Sequence, residues 1–166
     1  MRNLVGIGLL LGAALLQVTL VTRITLLQGS ADLVLLVLIS WMLQPGSQPD
    51  WRWGLPAGLI VGYASALPDW VLLAGYLAAA GLCQVLQQRI WQGKLLALLS
   101  STLLCTFSLH LVTLAYLFLS SHPIDGLEAL NLITVPSILL NLIFILPVHA
   151  IIGELTKLIS PAGQPA

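Results

Sequence analysis

Residues 66–70, "ALPDW", interrupt an apolar region that extends from Gly54 to Gln88. Pro68 disfavours a helical conformation at the residue before it, and Asp69 is of a type that commonly caps the start of a helix. The region contains 35 residues, whereas one membrane-spanning helix needs about 20. The motif therefore predicts two helices here, over 54–67 and 70–88.

The composition of the whole chain supports a membrane environment. The 166 residues are 58% hydrophobic and 7% charged, and the mean hydropathy is +1.02. A soluble domain of this size carries roughly 25% charged residues and could not bury so much apolar surface. Six basic and six acidic residues balance, which argues against nucleic acid as a partner. We predict one membrane domain over residues 1–159 and a disordered tail over 160–166.

Four more apolar segments complete the predicted spans. Polar connections separate them, and the clearest is "QPGSQPDWRW" at 44–53. The N-terminal apolar stretch, 4–22, exceeds the usual 7–15-residue core of a signal peptide and is interpreted as an uncleaved first span. The four segments are 3–22, 31–44, 95–120 and 129–155.

The distribution of basic residues tests this count. Six spans with a cytoplasmic N-terminus place five of the six Lys and Arg residues inside and only Arg23 outside, whereas joining 54–88 into one span gives at best four against two. The predicted fold is therefore an all-α integral membrane protein with six transmembrane helices and both termini in the cytoplasm. The short spans 31–44 and 54–67 would extend into the interface or thin the bilayer locally.

Polar residues in the last two spans are the first candidates for a functional site. Five polar side chains of the last span fall within an arc of roughly 120° on an ideal helix, and span five has a line of four. The last-span residues are Asn131, Thr134, Ser137, Asn141 and His149, and those of span five are Thr102, Thr106, His110 and Thr113.

Two interpretations of these polar faces remain open. The faces either form hydrogen bonds between the two helices or line a cavity for a polar ligand. Pro136 and Pro147 lack an N–H group, so the carbonyls of Leu132 and Ile143 need partners from elsewhere. The candidate interior or interface residues are Thr106, His110, Asn131, Ser137, Asn141, Pro147 and His149.

Small residues at four-residue spacing predict close helix packing in the other spans. Three pairs have this spacing: Gly8 and Gly12, Gly58 and Gly62, and Gly75 and Ala79.

Catalytic and metal-binding patterns are missing from the sequence. There is no HExxH, GxSxG or phosphate-binding loop, the histidines lack metal-ligand spacing, and Cys83 and Cys105 lie in apolar segments. Asp32 and Asp69 are predicted to cap helices at the outer ends of spans. We predict that the protein is not an enzyme and needs no cofactor.

Four stretches resemble the rod shape-determining protein MreD family, and the resemblance covers about residues 3–158. "ADLVLLVLISWML" at 31–43 resembles the family's second span, with Asp32 in the matching place. "GLPAGLIVGYASAL" at 54–67 is similar to its Gly-rich third span. "LLAGYLAAAGLCQVLQQRIW" at 72–91 matches the fourth through Gly75, Tyr76 and Arg89, and "SILLNLIFILPVHAII" at 137–152 matches the last through Asn141 and Pro147.

This resemblance implies a function and a set of partners. MreD proteins are non-catalytic inner-membrane subunits of the machinery that elongates peptidoglycan and maintains cell shape. They bind MreC, within a wider complex of MreB, RodA and a class B penicillin-binding protein. Their fold is similar to the substrate-binding subunits of energy-coupling-factor transporters, so the alternative function is that of a membrane subunit that binds a vitamin.

Overall fold

The computed structural model of the chain describes residues 2–19, 25–44, 50–89, 93–120 and 125–159. These residues are mostly helical. The helices are α1 (Arg2–Thr19), α2 (Leu33–Met42), α3 (Gly54–Ala64), α4 (Asp69–Arg89), α5 (Lys94–Leu119), α6 (Gly126–Ala129) and α7 (Val135–Ile159), with a 3-10 turn at Trp51–Trp53 and a π-helical turn at Leu130–Thr134 joining α6 to α7.

Three helical segments within the described residues are long and apolar enough to cross a membrane. They are Asp69–Gln88, Lys94–Leu119 and Gly126–Leu158. The 26 residues of α5 measure about 39 Å at 1.5 Å per residue, which exceeds a hydrocarbon core of about 30 Å. The apolar helices at Asn3–Thr19 and Leu33–Met42 are shorter, and α3 has only 11 residues.

The shortest of the predicted spans, α2, is the centre of the bundle. Nine of its ten residues are buried, and it packs against α1, α3, α4, α5 and α7. A helix that is apolar on all sides is stable when protein surrounds it completely. With ten residues, it is about 15 Å long, so its first turn begins inside the bundle.

The connection before α2 contains a small β-hairpin that the sequence analysis did not predict. Strands β1 (Thr25–Leu26) and β2 (Gly29–Ser30) pair antiparallel. Leu27, in the turn, has a φ of 55°, which is uncommon for a residue with a side chain. The Gln28 N–H donates to the Leu132 carbonyl at 3.1 Å. Pro136 cannot donate to that carbonyl, so the hairpin provides the partner that the sequence analysis required.

The π-helical turn changes which residues of the last helix share a face. Its i to i+5 spacing, visible as the bond from the Val135 N–H to the Leu130 carbonyl, adds a residue to one turn. The predicted stripe assumed 100° per residue throughout. The added residue rotates the start of this turn away from that stripe. Asn131, near the start of the turn, is exposed, whereas Thr134, Ser137 and Asn141 are buried.

Helix boundaries differ from the predicted ones by a few residues. The first helix is described from Arg2 to Thr19, and residues 20–22 of that predicted span lie outside the described residues. Helix α3 ends at Ala64 instead of residue 67. The last helical segment begins at Gly126 and ends at Ile159, which extends the predicted 129–155 at both ends. Asp69 is the first residue of α4 rather than its cap. The predicted tail, 160–166, lies outside the described residues, as does Arg23.

Candidate functional site

A network of buried hydrogen bonds joins four helices near the start of α2. Asp32 caps that helix, because its Oδ1 accepts a bond from the Leu35 N–H at 3.0 Å. Its Oδ2 accepts from the Tyr76 hydroxyl of α4 at 2.6 Å. The Asp32 N–H donates to Asn141 Oδ1 of α7 at 2.8 Å, and Asn141 Nδ2 donates to Thr106 Oγ1 of α5 at 3.0 Å. We call these residues the Asp32 network.

Gln17 brings α1 into the Asp32 network. Its Oε1 accepts a bond from the Val34 N–H, in the first turn of α2, at 3.1 Å. The network therefore ties α2 to four surrounding helices, although the contacting residues are up to 109 positions apart.

The donors around Asp32 offset part of the cost of burying its carboxyl group. Each of its oxygens accepts a hydrogen bond, one from the Leu35 N–H and one from the Tyr76 hydroxyl. Tyr76 and Asn141 are fully buried, whereas Asp32 keeps part of its surface accessible. The arrangement fixes the positions of helices and leaves neither carboxylate oxygen without a donor.

Two of the predicted candidates form a separate contact nearer the hairpin end. Thr134 Oγ1 and His110 Nδ1 are 3.3 Å apart. Both side chains line a cavity of about 220 Å³ between α5 and the α6–π segment. The remaining lining residues are mostly apolar: Leu72, Leu109, Thr113, Leu114, Leu117, Ala129 and Ile133.

The other predicted site residues occupy varied positions. Ser137 is buried and its Oγ accepts a bond from the Ser30 N–H at 3.1 Å. His149 is half-buried, and its carbonyl accepts a bond from Gln44 Nε2 at 3.4 Å. Asn131 and Pro147 are both exposed. The structure thus brings Thr106 and Asn141 together and keeps Asn131, Pro147 and His149 apart from them.

The three small-residue pairs also differ in their surroundings. A Cβ added at Gly58 would lie 2.8 Å from the Leu73 Cα of α4, and one at Gly62 would lie 3.3 Å from the Asp69 Cα. Gly75 faces Leu109 of α5, and the Ala79 carbonyl accepts from Cys105 Sγ at 3.1 Å. Gly8 and Gly12 meet nothing within 4 Å of an added Cβ, so this pair contacts no other helix among the described residues.

Sequence reasoning missed several parts of the network. Asp32 was predicted at the outer end of a span, but the short α2 places it among α4, α5 and α7. Tyr76 was singled out only through the resemblance, and Gln17 not at all. A single tyrosine in the middle of an apolar helix is a pattern that could have indicated an interior partner, because a buried hydroxyl usually forms a hydrogen bond.

Comparisons with known proteins identify no relative. Within the described ranges, no three His, Cys, Asp or Glu side chains are grouped so that they could hold a metal ion. No family model, curated protein or solved structure matches this chain.

Proposed function

We propose that this protein is a non-catalytic membrane subunit of a bacterial cell-elongation complex, similar to the MreD family. In this proposal it has six spans, lies in the inner membrane with both termini in the cytoplasm, and binds MreC. Through MreC it helps to position peptidoglycan synthases, in a complex that includes MreB, RodA and a class B penicillin-binding protein.

One observation supports this proposal most directly. Three of the residues that carry the resemblance, Asp32, Tyr76 and Asn141, come from three separate stretches of sequence. In the fold these residues are consecutive members of one hydrogen-bond network, at 2.6 Å and 2.8 Å. Their contact gives the matching residues one common structural role, which is what a shared family fold would require of them.

The character of the network also favours a structural role. Asp32, Tyr76, Asn141 and Thr106 bond to one another and to backbone groups, and none of them lines the cavity beside His110. Interhelical bonds of this kind hold the relative positions of membrane helices. A subunit that acts by binding other proteins depends on such a fixed surface.

Co-purification tests the proposal. The protein would be expressed with MreC from the same genome and captured from mild detergent through a tag on either partner. We expect MreC to be recovered in near-stoichiometric amount and to fall when this protein is deleted. Absence of MreC from the purified material, together with an MreC level unaffected by the deletion, would refute the proposal.

The cavity of about 220 Å³ favours a second candidate function. In this alternative the protein is the vitamin-binding subunit of an energy-coupling-factor transporter, and His110 and Thr134 contact the ligand. The volume is below the usual 300–1,000 Å³ of small-molecule pockets. Native mass spectrometry would detect a retained small molecule, and His110→Leu should release it if this candidate is correct.

A further inference from the structure

Four buried side-chain atoms have no hydrogen-bond partner in the part of the chain that the structure describes. They belong to four different helices: Ser40 Oγ of α2, Gln87 Oε1 of α4, Ser101 Oγ of α5 and His149 Nδ1 of α7. A polar atom taken out of water without a partner is unfavourable, so such atoms are few in native proteins and each needs an explanation.

All four atoms lie in the same half of the bundle. Helices α2, α4 and α7 run away from the Asp32 network towards the end opposite the hairpin, and α5 begins at that end. At 1.5 Å per residue, Ser40 and His149 lie about 12 Å beyond Asp32 and Asn141, respectively. By the same measure Ser101 lies about 8 Å beyond Thr106 on α5, and Gln87 lies about 16 Å beyond Tyr76 on α4. We call this region the inner half.

The two serines differ from other hydroxyls in the same helices. A hydroxyl in an apolar helix usually bonds to a carbonyl of its own helix, one turn earlier. Thr102 bonds to the Leu98 carbonyl at 2.8 Å, and Ser100 bonds to the Ala97 carbonyl at 3.2 Å. Ser40 and Ser101 are fully buried and do not form this bond. Their Oγ atoms are therefore available to a partner outside their own helices.

We propose that the inner half of the bundle holds several internal water molecules, and that Ser40, Ser101, Gln87 and His149 each bind one of them. Buried water typically forms about three hydrogen bonds to otherwise unsatisfied polar groups. The serine hydroxyls donate and accept, and the Gln87 oxygen accepts. The Gln44 amide, which reaches the His149 carbonyl only at 3.4 Å, adds a weakly used donor to the same region.

Water enters this site from the end of the bundle where α4 and α7 terminate. Gln87 and His149 are only half-buried, whereas the serines deeper inside are fully buried. The polar groups therefore lead from that surface towards the interior. This inference is independent of MreC binding, since it concerns the interior of the chain.

The direction in which Ser101→Ala changes the apparent Tm distinguishes a site that holds water from one that does not. Removing a hydroxyl that binds water leaves the water short of a partner, so Ser101→Ala should lower the apparent Tm by about 2–5 °C. Removing an unpartnered hydroxyl from a dry site should instead raise the Tm or leave it unchanged. Ser100→Ala is the matched control and should change the Tm by less than about 1 °C, because Ser100 bonds only within its own helix and is half-buried.

Radiolytic labelling of the unmodified protein provides a second measurement. Hydroxyl radicals formed from bound water oxidise nearby side chains, and Met42 of α2 lies in the inner half with 1% exposure to outside solvent. We expect Met42 to be oxidised in the folded protein and to incorporate ¹⁸O from the solvent slowly after rapid mixing. Complete protection of Met42, or a Tm that Ser101→Ala fails to lower, would overturn the proposal.

Discussion

Asp32 has its unusual position because the helix it caps is short. A cap at the end of a full-length span would lie at the membrane surface, where its N–H partners could also bond to water. The ten residues of α2 instead place this cap among Tyr76, Asn141 and Gln17. Sequence patterns assign an aspartate before an apolar helix to a cap at the surface. Here that aspartate, Asp32, is the residue through which the helices are joined.

Substitution of Asn141 tests this role at the scale of one residue. Asn141→Leu removes the acceptor for the Asp32 N–H and the donor to Thr106. A buried N–H is left without a partner, so we expect the free energy of unfolding to fall by about 2 kcal/mol. Unfolding in increasing SDS, followed by circular dichroism, measures it. The control is Asn131→Leu, since Asn131 is exposed on the same helical segment; equal effects from both variants would contradict the prediction.

Tyr76 offers a more conservative test of the same network. Tyr76→Phe keeps the buried ring and removes only the hydroxyl that donates to Asp32 Oδ2 at 2.6 Å. The loss of this buried hydrogen bond leaves Asp32 Oδ2 without its donor and should cost about 1.5 kcal/mol in the same unfolding assay. Tyr63 is 93% exposed, so Tyr63→Phe should be neutral. A stable Tyr76→Phe variant would mean that the hydroxyl contributes nothing to the bundle.

At the scale of elements, the sequence predicted helices well and their junctions poorly. The long apolar runs and the "ALPDW" break led to helix boundaries within a few residues of α4 and α5, because apolar length and proline chemistry act locally. The hairpin and the π-helical turn depend on contact between residues about 100 positions apart, as in the bond from Gln28 to Leu132. The prolines predicted that this carbonyl needed a partner, but no local pattern identified Gln28.

Gly29 tests the contact between hairpin and helix. A Cβ at this position would lie 2.7 Å from the Ile133 oxygen and 2.8 Å from the Pro136 Cβ. Backbone atoms cannot yield as a flexible side chain can, so Gly29→Ala should separate the hairpin from α7 and cost about 1–3 kcal/mol. The measurement is SDS unfolding as above.

Gly81→Ala is the matched control for the hairpin test. An added Cβ at Gly81 meets nothing within 4 Å, and alanine favours the helical conformation more than glycine does. This control should be neutral or slightly stabilising. A Gly29→Ala variant as stable as the control would show that the hairpin does not depend on close approach to α7.

At the scale of the whole molecule, the bundle is organised around α2, a helix that other helices enclose. Five helices surround α2, so the short apolar segment has no need to match the bilayer thickness by itself. The candidate site was only partly predictable for the same reason. The polar faces of α5 and α7 were visible in the sequence and meet at Thr106 and Asn141, but the position of α2 beside them follows from packing.

Single-cysteine labelling tests the proposed six-span topology. Native Cys83 and Cys105 are fully buried and would be replaced by alanine to give a clean background. Exposed positions at the two ends of the bundle would then receive one cysteine each: Ala66→Cys and Glu128→Cys at the hairpin end, and Gln88→Cys and Leu158→Cys at the opposite end. We expect a membrane-impermeant maleimide, applied to intact cells, to label the first pair and to label the second pair only after lysis.

If residues 54–88 crossed the membrane once instead of twice, Ala66→Cys would lie within the bilayer and Gln88→Cys would be on the opposite side of the membrane from residues 45–53. Labelling of Gln88→Cys in intact cells, or protection of Ala66→Cys, would therefore exclude the six-span arrangement with a cytoplasmic N-terminus.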